Sequence, residues 1–220
     1  MKTKFLQIVC LLAGLAASAL ADKPKASKWD EVMVEFDVLD KMSPPPLAPI
    51  VFVGSSSIRK WTTLAADFPG LPVINRGFGG SQMSDLLHHF DRVVTTYKPS
   101  QLVVYEGDND LGAEKTPQQV LADFKIFCTR VRTLFPDLPV HFISTKPSPK
   151  RIAIIDKQRE FNAMLVEYLA TQKGMSFIDV FSLMLDESGK PKPSLFASDD
   201  LHMTPAGYEL WTRAVKKALH

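Results

Sequence analysis

The sequence feature that most constrains the fold is the alternation of short apolar runs with longer amphipathic segments. Such apolar runs, bounded by glycine, proline or polar residues, are typical of strands buried in a parallel sheet. The five runs span residues 49–53, 73–75, 102–105, 140–143 and 175–180. Strands that alternate with helices predict a parallel sheet with helices on both faces. We therefore expect an α/β fold with a five-stranded parallel sheet.

Amphipathic segments with helical spacing account for most of the remaining chain. They predict helices over residues 29–42, 58–68, 81–97, 117–135, 155–172 and 205–219. Pro117 and Pro205 fit the first helical position, where the missing N–H is not needed. Thr204 directly precedes Pro205 and fits the N-cap of the last helix.

The first 21 residues have the features of a secretory signal peptide. Two lysines precede an apolar run from residue 5 to residue 20, and Ala-Leu-Ala ends at residue 21 in the small-x-small pattern of a cleavage site. The apolar run is short for a membrane span. We therefore expect cleavage after Ala21 and export to the periplasm or the medium.

The mature chain has the size and charge of a single neutral domain. Removal of residues 1–21 leaves 199 of the 220 residues, with residues 22–48 as a leader with one helix and residues 49–220 as the main domain. The full chain has 26 basic and 24 acidic residues, so loss of Lys2 and Lys4 leaves 24 of each. This balance indicates no nucleic-acid partner and no stable membrane association after cleavage.

The cysteines predict neither a disulfide nor a catalytic thiol. Cys10 lies within the signal segment and lacks the small residue expected before a lipid-modified cysteine. Cys128 is the one cysteine of the mature chain, and its apolar surroundings favour a buried structural thiol. The sequence shows no metal-ligand cluster, and we expect neither a metal nor a cofactor.

Three serines follow Gly54 at the end of the first apolar run. A serine between a central strand and a helix has an accessible hydroxyl close to the free N–H groups of the helix. Serines at this position are also common helix caps. The residues alone therefore leave open which of Ser55, Ser56 and Ser57 reacts, or whether all three are structural.

The loops after the second and third predicted strands are also unusual. Residues 75–81 contain three glycines, which allow a backbone N–H to approach a ligand closely. A phosphate-binding turn is the alternative, although no other nucleotide motif accompanies it. Asn109 follows the third strand, where its side chain fits either a turn or a donor to an oxyanion.

An Asp-x-x-His segment directly precedes the last predicted helix. The carboxylate of Asp199 is close enough in sequence to hold the ring of His202 and leave Nε2 as a base for a serine. The alternative is a surface helix cap. The other histidines are less suitable, because they lie in predicted helices, in a core strand or at the chain end: His88, His89, His141 and His220.

Together these segments resemble the SGNH (GDSL-like) hydrolases over residues 49–220. The matching blocks are Gly54-Ser55-Ser56, Gly80, Gly107-Asp108-Asn109 and Asp199-Asp200-Leu201-His202. The run Lys146-Pro147-Ser148-Pro149-Lys150-Arg151 resembles a loop in a bacterial branch of esterases related to the platelet-activating-factor acetylhydrolase group. The resemblance implies a three-layer α/β/α, flavodoxin-like fold with strand order 2-1-3-4-5.

The resemblance also assigns roles to five residues. Ser56 is the expected nucleophile, His202 the general base and then acid, and Asp199 the residue that orients the histidine. The expected oxyanion hole consists of the N–H groups of Ser56 and Gly80 and the side chain of Asn109. Family members commonly have aspartate before the nucleophile, whereas this chain has serine there.

The resulting hypothesis is an exported serine esterase that hydrolyses short acyl esters, such as acetyl esters on carbohydrates. The alternatives are a non-catalytic carbohydrate-binding protein, a lysophospholipase or thioesterase-type acylhydrolase, and a serine phosphoesterase. Lys146, Lys150 and Arg151 follow the fourth strand and suit either an anionic substrate at the rim of the site or a solvated loop.

Overall fold

The computed structural model describes residues 26–219, so the predicted signal peptide lies outside the described residues. Within that range five strands form one sheet in the order β2-β1-β3-β4-β5. The strands are β1 Ile50–Gly54, β2 Val73–Gly77, β3 Gln101–Tyr105, β4 Val140–Ile143 and β5 Met175–Ile178. All neighbouring strands pair in parallel. The predicted fold and strand order are confirmed.

Helices connect the strands and cover both faces of the sheet. In the described chain they are α1 Asp30–Met42, α2 Ser56–Arg59, α3 Leu64–Asp67, α4 Met83–His88, α5 Phe90–Val93, α6 Asp108–Gly112, α7 Pro117–Leu134, α8 Ile155–Ala170 and α9 Pro205–Lys216. Short 3₁₀ turns occur at Thr95–Tyr97, Pro149–Ile154, Ser182–Met184 and Pro193–Leu195. None of the helices within residues 26–219 has both the length and the apolarity needed to cross a bilayer.

The central strand β1 is buried on both sides, as its unbroken apolar sequence predicts. Val51 and Val53 contribute to the core that α4, α5, α7 and α8 cover. Ile50 and Phe52 point the opposite way, into the core that α2, α3 and α9 cover. This alternation separates the two helical layers.

Helix α1 packs onto the same core as α7 and α8. Met33 is 1% exposed and lies in that core. The guanidinium of Arg76, at the end of β2, is 4% exposed and forms an ion pair with Asp40. The hydroxyl of Tyr97 donates to the same carboxylate at 2.6 Å. These contacts attach α1 firmly to the sheet.

The predicted helix over residues 58–68 is wrong as a single element, because the chain forms α2 and α3 instead. The Asn75 side chain donates to the carbonyl of Ile58 at 2.6 Å and to that of Trp61 at 3.4 Å. These carbonyls therefore accept from a neighbouring strand, and the helix stops.

The predicted helix over residues 81–97 is also divided, into α4, α5 and the turn Thr95–Tyr97. A capping box between Gln82 and Asp85 places the start at Met83. The backbone leaves helical geometry at His89, whose ring contacts Phe78 edge-on.

Strand β5 ends two residues earlier than predicted. The hydroxyl of Ser144 accepts the N–H groups of Val180 and Phe181 at 3.0 and 2.9 Å, so they do not continue the ladder. Beyond α9, Lys217 and Ala218 line a groove with Pro139 and Gly174, which precede β4 and β5. The end of α9 therefore lies at the amino edge of the sheet.

Candidate active site

The candidate site lies at the carboxyl ends of the three strands at the switch point of strand order. Gly54, the last residue of β1, is in register with Gly77 of β2 and with Tyr105 of β3. The loops after these strands therefore leave the sheet side by side. Ligands of open parallel sheets bind at this location.

The turn between β1 and α2 requires a glycine. Gly54 has a φ of +133°, and a Cβ there would lie 2.0 Å from the carbonyl oxygen of Tyr105. That close approach lets the Ser55 N–H donate to the same carbonyl at 3.1 Å. The chain then enters α2 directly at Ser56.

The turn distinguishes the three serines by their exposure. Ser55 and Ser57 are each 2% exposed, whereas Ser56 is partly exposed. The Ser57 carbonyl accepts from the buried Tyr208 hydroxyl at 3.0 Å, which fixes this part of α2. Only Ser56 of the three combines accessibility with contact to His202.

Ser56, His202 and Asp199 form a hydrogen-bonded chain, as the sequence analysis expects. His202 Nε2 lies 3.0 Å from Ser56 Oγ, and His202 Nδ1 lies 2.5 Å from Asp199 Oδ2. When Nδ1 donates its proton to this carboxylate, Nε2 is the ring nitrogen that can accept from the serine hydroxyl. This geometry suits removal of the serine proton.

A tight turn before α9 holds the aspartate and the histidine. Asp200 adopts a φ of +57°, and its N–H donates to the Ala197 carbonyl at 2.9 Å. Asp199 Oδ1 accepts the N–H groups of Leu201 and His202 at 3.1 and 2.9 Å. Hydrogen bonds from the His202 ring and from these amides hold the pKa of Asp199 well below its usual value. The carboxylate is therefore charged at neutral pH.

Gly80 and Asn109 come together where the loop after β2 meets the start of α6. Gly80 has a φ of +80° and is exposed. The Asn109 Nδ2 group donates to the carbonyl of Ser81 at 2.9 Å, which joins the loop after β2 to the start of α6. The two predicted oxyanion donors thus belong to one connected structure.

A buried carboxyl group supports the loop that carries Gly80. Glu106 is 3% exposed, and its Oε1 accepts from the hydroxyl of Ser81. Burial raises the pKa of Glu106 well above its usual value of 4.5, which favours the neutral acid over the carboxylate. Sequence reasoning did not single out Glu106, because a carboxyl after a strand is ordinarily solvated.

The sequence suits Lys146 either to an anionic substrate at the rim of the site or to a solvated loop, and the structure agrees with neither. This lysine is 1% exposed, and its Nζ lies 3.9 Å from Asp108 Oδ2. It is neither part of a solvated loop nor at an open rim. Lys150 is exposed, and its main-chain N–H donates to the Asp200 carbonyl at 2.9 Å. The Arg151 guanidinium is directed at Asp108 and Asn109.

Trp29, directly before α1, is a further neighbour of the site that sequence reasoning missed. Its ring edge lies 3.6 Å from the position that a Cβ on Gly80 would occupy. The same ring contacts Phe78 edge-on, with the centroids 5.7 Å apart. The start of α1 is therefore at the carboxyl edge of the sheet.

Cys128 is a buried residue of α7. It is 1% exposed in the core, and burial raises the pKa of its thiol to about 12. The prediction of a buried structural thiol is confirmed. In the described residues, no group of three or more His, Cys, Asp or Glu side chains is arranged to hold a metal ion.

Comparison with known families identifies the same region of the chain. The model of the GDSL-like lipase/acylhydrolase family matches residues 50–210. The match includes all of β1 to β5, the candidate site residues from Ser56 to His202 and the first half of α9. No curated protein matches the chain significantly.

Solved structures share the fold at low sequence identity. A candidate platelet activating factor from Streptococcus pneumonia has a TM-score of 0.78 at 21% identity, over 87% of this chain and 92% of that one. A GDSL-like lipase from Bacteroides thetaiotaomicron has a TM-score of 0.71 at 20% identity, over 84% and 96%. An acetyl xylan esterase from Geobacillus stearothermophilus has a TM-score of 0.62 at 16% identity, over 78% and 94%.

Proposed function

Because the chain belongs to the GDSL-like lipase/acylhydrolase family and is therefore a carboxylic ester hydrolase, we propose that it hydrolyses short acyl esters through an acyl-enzyme on Ser56. The observation that carries this proposal is the orientation of His202. Its ring nitrogens contact Ser56 Oγ at 3.0 Å and Asp199 Oδ2 at 2.5 Å. A histidine between a hydroxyl and a carboxylate is the arrangement that activates a serine.

In the proposed acylation step, Ser56 Oγ attacks the ester carbonyl while its proton passes to His202 Nε2. Asp199 remains charged and stabilises the imidazolium that forms. Collapse of the tetrahedral intermediate breaks the bond to the alcohol, and His202 returns the proton to the leaving oxygen. A water then attacks the acyl-enzyme by the same route and releases the acid and free Ser56. These steps need only Ser56, His202, Asp199, the ester and water.

The proposed oxyanion hole stabilises the charge that develops on the carbonyl oxygen. Its donors are the N–H groups of Ser56 and Gly80 and the Nδ2 group of Asn109. The bond from Asn109 to Ser81 supports this assignment, because it places the amide beside the Gly80 turn. Donors that are positioned before the reaction need no reorganisation during it.

The proposed substrates are short, acetyl-like esters on carbohydrates, and the proposed location is outside the cytoplasm. The fold similarity to the acetyl xylan esterase from Geobacillus stearothermophilus is compatible with this substrate class. The signal-like sequence of residues 1–21 supports export.

The test is hydrolysis of p-nitrophenyl esters of increasing chain length by the protein that begins at Asp22. We expect the highest kcat/KM on acetyl or propionyl esters and loss of nearly all turnover in Ser56→Ala. Ser55→Ala is the matched control, because that neighbouring hydroxyl is buried. Full activity in Ser56→Ala would disprove the nucleophile, and a preference for long chains would favour a lysophospholipase-type activity.

A further inference from the structure

The guanidinium of Arg151 contacts the first two residues of α6, Asp108 and Asn109. Nη2 donates to Asn109 Oδ1 at 2.7 Å, and Nη1 forms an ion pair with Asp108 Oδ2 at 2.8 Å. Nη1 also donates to the main-chain carbonyl of Asp108. A planar guanidinium with donors at fixed angles holds its acceptors in one geometry.

These contacts determine which way the Asn109 amide faces. A guanidinium only donates, so it selects the Oδ1 side of the amide. A main-chain carbonyl only accepts, so Ser81 selects the Nδ2 side, at 2.9 Å. One Nδ2 proton bonds to Ser81, and the second is left for a substrate oxygen. The positive charge of the guanidinium beside Oδ1 also polarises the Asn109 amide and strengthens Nδ2 as a donor.

Arg151 is itself held in place by buried groups. Asp108 is 4% exposed and also accepts from Gln158 Nε2 at 2.8 Å and from the Tyr105 hydroxyl at 3.2 Å. The guanidinium packs against Gly112, where a Cβ would lie 3.1 Å from Cζ. Its side chain is only 16% exposed. Both outer nitrogens therefore serve the protein, which leaves little of the group for an anionic substrate.

We propose that Arg151 is a positioning residue that fixes the carboxamide of Asn109 for oxyanion stabilisation. The inference rests on the proposed esterase function, because it assigns Arg151 a role through Asn109 in the same site. A positioning role predicts that loss of Arg151 lowers the turnover of every ester, neutral or charged. It also predicts that loss of Arg151 has no further effect on turnover once the Asn109 amide is removed.

The experiment is a double-mutant cycle with Arg151→Met and Asn109→Ala, measured on p-nitrophenyl acetate. We expect Arg151→Met to lower kcat by about 10- to 100-fold, with KM changed by less than about threefold, since the lost interaction acts in the transition state. In the Asn109→Ala background the same substitution should change kcat by less than about threefold. An equal loss in both backgrounds overturns the proposal.

Two controls separate positioning from other roles. Arg159→Met removes an exposed arginine on α8 and should leave kcat and KM unchanged. A carboxylated p-nitrophenyl ester should lose as much turnover as the neutral ester in Arg151→Met. A rise in KM for the carboxylated ester alone would instead make Arg151 a substrate contact and overturn the inference.

The side-chain amide resonances of Asn109 provide a test that does not need activity. We expect both Nδ2 proton shifts to move in Arg151→Met and to stay unchanged in Arg159→Met. Arg151→Lys, which keeps the charge but not the two-pronged contact, serves if Arg151→Met does not fold. Absence of Ser56-dependent hydrolysis in the unmodified protein refutes the proposed function, whereas unchanged Asn109 resonances refute the positioning role.

Discussion

Asp199 uses its two carboxylate oxygens for different purposes. Oδ1 accepts main-chain N–H groups and shapes the turn, while Oδ2 accepts from the His202 ring. Substitution by asparagine can keep the first set of bonds only if its amide nitrogen faces the ring. That nitrogen is a donor, so it favours the tautomer with the proton on Nε2, which cannot accept from Ser56.

We therefore expect Asp199→Asn to keep the folded structure and to lower kcat by roughly 10⁴-fold at neutral pH. The measurement is kcat on p-nitrophenyl acetate, together with the midpoint of urea unfolding. Asp200→Asn is the control, because that exposed neighbour has a backbone φ of +57° that asparagine tolerates. A loss of less than tenfold in Asp199→Asn would contradict the assigned role.

Glu106 links the stability of the protein to pH. Burial raises its folded-state pKa above the usual value of 4.5, so above that pH the folded state binds more protons than the unfolded state. The free energy of unfolding should therefore fall as the pH rises above about 4.5, by at most about 1.4 kcal/mol per pH unit for one group.

Glu106→Gln should remove this dependence, because glutamine is neutral and can still accept from Ser81. We expect its unfolding free energy, measured in urea between pH 5 and pH 8, to fall less with pH than that of the unmodified protein. Glu167→Gln, an exposed position on α8, should behave like the unmodified protein. Parallel pH curves for Glu106→Gln and the unmodified protein would show that Glu106 does not titrate in this way.

At the residue scale, the sequence predicts the role of a residue only where that residue belongs to a recognisable family motif. Ser56 follows from its register with Gly54 in the family pattern, and the structure adds that Ser55 and Ser57 are buried. The sequence places Arg151 as a charge near the site, but it does not predict the contact of Arg151 with Asn109. That contact joins positions 42 residues apart, and neither local spacing nor charge pattern reports it.

At the element scale, α1 offers a matched comparison of two ion pairs. Asp40 pairs with Arg76, and the two side chains are 19% and 4% exposed. Asp37 pairs with Arg92, and these are 54% and 44% exposed. Loss of a buried partner leaves an uncompensated charge, whereas exposed partners are solvated by water.

We expect Asp40→Ala to lower the free energy of unfolding by about 3 to 5 kcal/mol. Asp37→Ala should lower it by less than about 1 kcal/mol. Both values are measured by urea unfolding at neutral pH. Equal losses from the two substitutions would mean that water stabilises the Arg76 guanidinium as well as Asp40 does.

The boundaries of the elements show where local sequence stops being sufficient. Pro117 and Pro205 start α7 and α9 as predicted, since proline acts through its own backbone. The single helix predicted over residues 58–68 fails because Asn75, on a neighbouring strand, bonds to two of its carbonyls. The residue at which such a helix ends depends on tertiary contacts, which the spacing of apolar residues does not reveal.

At the scale of the whole molecule, the alternation of strands and helices predicts the sheet and the edge at which the site lies. It does so because parallel strands of one sheet have all their carboxyl ends at the same edge. The strand order followed from family resemblance. Neither the alternation nor the family resemblance predicts that α1 packs onto the core, because a proline-rich stretch separates its sequence from that of the main domain.

Cys128 reports on the integrity of the whole fold. In the protein that begins at Asp22, this thiol is 1% exposed and its pKa is raised to about 12, so a thiol reagent should not react with the folded state. We expect no labelling by Ellman's reagent in buffer, one thiol per chain in urea, and none in Cys128→Ala. Rapid labelling in buffer would indicate that the core opens locally around α7.

The positions of Trp29 and of the end of α9 bear on how this protein should be attached to a solid support. Trp29 is beside Gly80, so we expect a carrier joined upstream of it to lie close to the candidate site and to hinder access. Lys217 and Ala218 lie near the opposite edge, with Pro139 and Gly174. We therefore expect immobilisation through the carboxyl terminus to leave Ser56 facing the solution.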